Sequence, residues 1–233
     1  MRRPRAAGAR LKTQPGARVK LYSYFRSSAS YRVRIALHLK GLGYDYLPVH
    51  LVRGEQSAPA YLGVSPDGLV PLLETCEGDH LSQSLAIIEY LDEVHPQVPL
   101  LPGDPLGRAR VRAMAQTIAC EIHPVNNLRV LKYLTQELGV DEAGKTAWYR
   151  HWVRLGLEAF ERQLAALPAA SRGRFCHGDT PTLADCCLAP QVFNARRFGC
   201  DLSGLPLTMA AYEAGAALEA FTLAEPGACP DAG

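Results

Sequence analysis

The stretch VKLYSYFRSSASYRVRIALHLKGLGYDYLPVHL, residues 19–51, carries the reading on which the fold turns. Its first seven residues are rich in strand-forming types and stop at Arg26 and Ser27. Val33, Ala36 and Leu37, flanked by Ile35 and Leu39, then recur at helical spacing, with Gly41 and Gly43 as the stop. DYLPVHL, residues 45–51, reads as a second strand. The opening is therefore β-α-β.

Working outward, a polar loop at residues 53–57 leads to a short helix near residues 58–62, and VSPDG is a turn. LVPLLE, residues 69–74, and residues 79–81 predict two short strands around the turn Glu77-Gly78-Asp79. SQSLAIIEYLDEV follows as a helix with Ser82 or Ser84 as N-cap and Leu85, Ile88 and Leu91 on one face. Residues 19–95 thus read β-α-β-α-β-β-α.

Four prolines in residues 96–105 predict an extended connector and a domain boundary. Beyond it the pattern is all helical, over residues 106–138, 142–167, 182–198 and 207–223. Thr182 with Asp185 three residues on forms a capping box at the third of these helices. The expected architecture is α/β followed by all-α: a basic extension at residues 1–18, a sheet domain at 19–95, a linker at 96–105 and a helical domain at 106–233.

The formal net charge is +2, but six cations and no acidic group precede residue 19, which leaves the remainder at −4. A mildly acidic body argues against nucleic-acid binding. The basic extension lacks the apolar core of a secretory signal and predicts a disordered segment. No apolar run approaches the roughly 18 residues of a membrane span, so a cytoplasmic protein is expected. Seven cysteines, odd in number and without CxxC spacing, predict reduced, mostly buried thiols and no metal site.

The turn at Arg26–Ser30 offers helix N–H groups, two hydroxyls and the positive end of a dipole, which together attract an anion. Val70-Pro71 places proline in a strand-like run, tolerable at a sheet edge or with a cis peptide. Gln83-Ser84 opens another helix and offers a second seat for a carboxylate.

YFRSSASYRVRIALHLKG, QSLAIIEYLDE, IHPVNNLRVLKYL and GDTPTLADCCLAPQVFNARRF, in this order, resemble the zeta class of the glutathione transferase superfamily over roughly residues 20–220. The resemblance implies a thioredoxin-like first domain that binds glutathione as cofactor, a helical domain that takes the substrate, and a homodimer. It implies that Ser27 and Ser28 face the glutathione sulfur, that Val70 pairs with the cysteinyl backbone, and that Gln83 and Ser84 hold the γ-glutamyl carboxylate. His50 and Gln56 would meet the glycyl end, and His123, Asn127 and Arg129 would reach in from the second domain. Arg26, Arg129 and Arg197 would grip a small diacid substrate. The implied reaction is cis–trans isomerisation of maleylacetoacetate to fumarylacetoacetate. The alternatives are maleylpyruvate isomerisation, transfer of glutathione to halogenated acids and, as a different class, a non-catalytic partner protein of the transferase fold. Ala29 departs from the Ser-Ser-Cys pattern of many members, so any thiolate must come from glutathione.

Overall fold

The computed structural model describes residues 18–232 of the 233. The expectation of a disordered extension falls, Arg18 apart, outside the described residues.

Strand β1 (Val19–Ser23) runs into helix α1 (Ser28–Leu39), and β2 (Tyr44–Pro48) returns parallel to β1. Helix α1 ends at Lys40, with Gly41 at φ +66° and the Leu42 N–H closing back on the Leu37 carbonyl at 2.9 Å, a left-handed stop that glycine adopts without steric cost. Two 3₁₀ turns and α2 (Pro59–Leu62) lead to β3 (Leu72–Glu74) and β4 (His80–Ser82), both antiparallel to their neighbours, in the sheet order β2-β1-β3-β4. Helix α3 (Ser84–Val94) closes this unit. The β-α-β-α-β-β-α order is as read, and the fold is thioredoxin-like. Strand β3 is shorter than residues 69–74 because the Val70–Pro71 peptide is cis and lies before the ladder, which begins at Leu72. The Ser82 or Ser84 cap is corrected: Gln83 occupies the cap, at φ 68°, and makes no side-chain capping bond.

The connector is anchored along its length. Lys40 Nζ, its side chain 1% exposed, donates to Asp92 Oδ1 and to the His95 and Val98 carbonyls, while Leu100 and Leu101 are buried in the core.

The second unit begins with α4 (Pro105–Gln116), capped by Asp104. The single helix expected over residues 106–138 is corrected to four pieces: α4, a π-helical turn (Thr117–Ile122), α5 (His123–Val125) and α6 (Leu128–Gln136). Pro124 lacks the N–H that a continuous helix requires, and Asn127 restarts the chain as an extended N-cap. Next come α7 (Glu142–Ala165), α8 (Leu183–Arg197), α9 (Pro206–Ala216) and α10 (Glu219–Leu223); the last expected helix breaks at Ala217 and Leu218. Thr182 and Asp185 form the capping box, and the buried Asp185 carboxylate also accepts from the Cys176 N–H at 2.9 Å. One core cluster runs from Leu21 and Ile35 through Ile87 to Val153, Leu188 and Phe221, so the two units share a hydrophobic interior.

The C-terminal segment returns to the first unit. Buried Arg34 donates to the Ala224 carbonyl at 2.9 Å, the Phe25 carbonyl at 3.1 Å and Ser23 Oγ at 3.2 Å. Asp231 accepts from the Phe25 N–H at 3.1 Å and the Tyr46 hydroxyl at 2.6 Å.

No helix among the described residues is long and apolar enough to cross a membrane. Cys176, Cys186 and Cys187 are fully buried, and burial pushes the Cys187 thiol up to about 11. Cys229 is buried as well and Cys200 half-buried, so the thiols are mostly buried, as expected, with Cys76 and Cys120 exposed.

Candidate active site

The turn after β1 is closed by the Ser27 N–H donating to the Tyr24 carbonyl at 2.9 Å. Ser27 is the N-cap of α1, its Oγ accepting from the Ser30 N–H at 3.2 Å. Ser28, the first helical residue, is 7% exposed.

From the other side, the π-helical turn delivers His123. Gly156 of α7 permits this approach: a Cβ there would lie 2.2 Å from Ile122 Cγ1. Trp148 Nε1 donates to the Val125 carbonyl at 2.9 Å and pins the following turn to α7.

His123 Nδ1 lies 3.0 Å from Ser28 Oγ, and its Nε2 lies 3.4 Å from Asn127 Nδ2. The direction of this chain follows from its far end. The Arg129 backbone N–H can only donate, and it does so to Asn127 Oδ1 at 3.2 Å. The Asn127 amide therefore turns its NH₂ toward His123 Nε2, which accepts, and Nδ1 carries the imidazole proton and donates to Ser28 Oγ. The Ser28 proton is left to donate elsewhere. Desolvation, then the positive charges of Arg32 and Arg129, push the His123 pKa down to about 3, so the ring is neutral and the chain keeps one direction at neutral pH.

These groups face a cavity of about 610 Å³ between the two units. Of the residues expected to form the site, Arg26, Ser27, Ser28, Gln56, Val70, His123, Asn127, Arg129 and Arg197 line it. His50, Gln83 and Ser84 are not among its lining residues. His50 is spent locally, its Nδ1 accepting from the Arg53 N–H at 3.2 Å and its N–H donating to Glu55 Oε2 at 2.6 Å. Ser84 is buried and accepts from Arg32. Gln56 Oε1 is buried without a partner, an orphan acceptor beside the cavity.

Lys132, Lys145, Tyr149, Gln191 and Asn194 also line the cavity and were missed. Helical spacing held the signal for some of them: Leu128, Leu131, Lys132 and Thr135 share a face of α6, as Gln191, Asn194 and Phe198 do at the end of α8. Arg26, Arg129, Lys132, Lys145 and Arg197 are the cations of the lining, and Asp67 is its only carboxylate. Such a cavity attracts a multiply charged anion.

Residues 26–94 match the glutathione S-transferase N-terminal domain and residues 148–214 the C-terminal domain. A maleylpyruvate isomerase of Ralstonia sp is 50% identical over 213 residues, covering 91% of this chain and 99% of that one. A maleylacetoacetate isomerase of Rhizobium meliloti is 49% identical over 206 residues, covering 88% and 95%. A solved structure described as the holo form of maleyl pyruvate isomerase, a bacterial zeta-class glutathione S-transferase, superposes with a TM-score of 0.89 at 50% identity, covering 92% of this chain and 100% of that one. With its two-unit fold and both family domains matched, the chain belongs to the glutathione S-transferase family, in its zeta class.

Proposed function

We propose that the protein is a glutathione-dependent cis–trans isomerase of maleylacetoacetate, forming fumarylacetoacetate. The observation that carries this reading is the pairing of a directed Ser28 hydroxyl at a helix N-terminus with a cavity wall of five cations. The residues present fit glutathione: the cavity lies within the roughly 300–1,000 Å³ of small-molecule sites, and the buried Gln56 Oε1 has acceptor capacity for a ligand N–H. Val70, outside the β3 ladder, leaves its backbone for an extended peptide.

When bound, glutathione would supply a thiolate as the nucleophile for reversible addition to the cis double bond. The Ser28 hydroxyl would donate a hydrogen bond to the sulfur and, with the α1 dipole, favour the anion. Ser27 holds the helix start in place. Arg129 and Arg197 bind the carboxylates of the diacid, with Arg26 and Lys132 adding to the field while Lys145 is paired with Glu142, so the ends are held while the centre turns.

The relatives at 50% and 49% identity bear the names of maleylpyruvate and maleylacetoacetate isomerases respectively, so the second substrate is the alternative to test. The decisive assay follows both maleyl substrates by ultraviolet absorbance with and without glutathione. Faster turnover of maleylacetoacetate that vanishes without glutathione is expected; glutathione-independent isomerisation of either acid refutes the mechanism. Net consumption of glutathione with a halogenated acid would identify a transferase instead. Seven cysteines, with no disulfide among the described residues, suit the reducing cytoplasm. A homodimer belongs to the same reading; sedimentation tests it.

A further inference from the structure

Arg32 is 2% exposed on the inner side of α1. Its Nη1 donates to Ser84 Oγ at 3.2 Å, and its Nε is buried with no partner. Among the described residues no carboxylate pairs with it. Arg34, two residues on and similarly buried, is the contrast: each of its three nitrogens has a partner, in Ala224, Ser23 and Phe25. A guanidinium stays charged, and a buried charge without a counter-ion is costly enough that an apolar side chain of similar size serves stability better.

The Ser84 hydroxyl shows where the missing charge belongs. Arginine has no acceptor, so Ser84 Oγ accepts and its proton is left to give. Ser84 is the first residue of α3, a helix of 11 residues whose opening N–H groups are free for an anion. The preceding Gln83 is held at φ 68°, a conformation that costs a non-glycine residue about 1–3 kcal/mol and that clusters at ligand sites.

Resting on the glutathione reading above, we propose that Arg32 is the buried counter-charge of the γ-glutamyl carboxylate, acting through Ser84 as a positioning residue. Its guanidinium holds the hydroxyl oxygen so that the hydroxyl proton and the α3 N-terminus face the carboxylate together. A carboxylate bonded to that hydroxyl lies about 5–6 Å from the guanidinium. At an effective dielectric of about 20 this separation is worth roughly a hundredfold in binding. The ligand-free protein carries an uncompensated charge, and cofactor binding neutralises it.

The test compares Arg32→Met, Arg32→Gln and Arg32→Lys with the wild type by calorimetry. Two ligands are used: glutathione, and cysteinylglycine, which has the same thiol but no γ-glutamyl arm. Both neutral variants should weaken glutathione about 10- to 100-fold, leave cysteinylglycine unchanged, and melt at the wild-type temperature or above when ligand-free. Arg32→Lys should restore most of the glutathione affinity. Equal weakening of both ligands, or unchanged glutathione affinity in Arg32→Met, overturns the proposal. So does failure of both neutral variants to fold while the lysine variant folds, because the charge is then structural. A wild-type protein that does not bind glutathione overturns the underlying function along with it.

Discussion

Replacing Ser28 by alanine is expected to raise the pKa of the bound glutathione thiol by about 1–2 units, and replacing Ser27 is not. The two serines are adjacent, and both line the cavity, but their hydrogen bonds differ. Ser28 Oγ accepts a hydrogen bond from His123 Nδ1 and keeps its own O–H to donate. A hydrogen bond to a charged group contributes about 1.5–3 kcal/mol, which at about 1.36 kcal/mol per unit sets the size of the shift. Ser27 Oγ accepts as well, but from the Ser30 N–H of its own helix, so its hydroxyl is held by the helix start and alanine there removes the cap of α1. That loss is about 1 kcal/mol, or a melting temperature lower by about 2–4 °C in a chain of this length. The thiolate of the complex is followed by its ultraviolet absorbance across a pH titration, and stability by thermal melting. Asn127→Leu serves as an internal control: without the donor that selects the His123 tautomer, Ser28 divides its proton between ring and sulfur, and a shift smaller than that of Ser28→Ala is expected. A bound-thiol pKa in Ser28→Ala within about 0.3 units of wild type, or a larger shift in Ser27→Ala, would refute the directed chain.

Arg129→Ala and Arg197→Ala should each lower kcat/KM by about 10- to 100-fold, chiefly through KM, in steady-state assays; a fall in kcat alone would place them on the reacting centre. His123, held near 3 in the fold against 6.5 ordinarily, binds a proton only after unfolding over that window, so stability is complete above pH 6.5 and declines as pH falls toward 3. Depressed His38 and His95 act in the same sense. Urea titrations should show a slope of about 1 kcal/mol per pH unit, reduced in His123→Gln; a flat wild-type profile contradicts the neutral ring. Gly156→Ala sets a methyl against Ile122 and should cost about 1–3 kcal/mol while reducing activity through displaced His123; melting and kinetics together check it.

The β-α-β opening was legible because strand and helix periods are local properties, and the capping box because its two side chains are three residues apart. The break at residues 123–127 was not, although Pro124 announced it, because the turn depends on Gly156 and Trp148 far along the chain. The anchored connector was hidden for the same reason: Lys40, 52 residues before Asp92, holds it. In the site, Ser27, Ser28, Arg129 and Arg197 stood out by residue type and family motif. Their ranking did not, since both hydroxyls accept a hydrogen bond and only the partners differ: the Ser30 N–H of the same helix for Ser27, and His123 of the other unit for Ser28. Lys132 and Lys145 look like ordinary helix-surface charges until α6 and α7 are placed beside α1. Arg32 was misleading in the opposite way, a charge inside a pattern read only for its apolar members.

The segment from Ala224 to Asp231 belongs to the helical half by position in the chain, yet it grips Phe25, Arg34 and Tyr46 of the sheet half. A chimera that joins two relatives at the proline-rich connector would therefore import a foreign tail against the native sulfur-facing turn. Recombination that preserves the turn must exchange residues 224–231 together with residues 19–95, so the exchangeable unit in this protein is discontinuous in its gene.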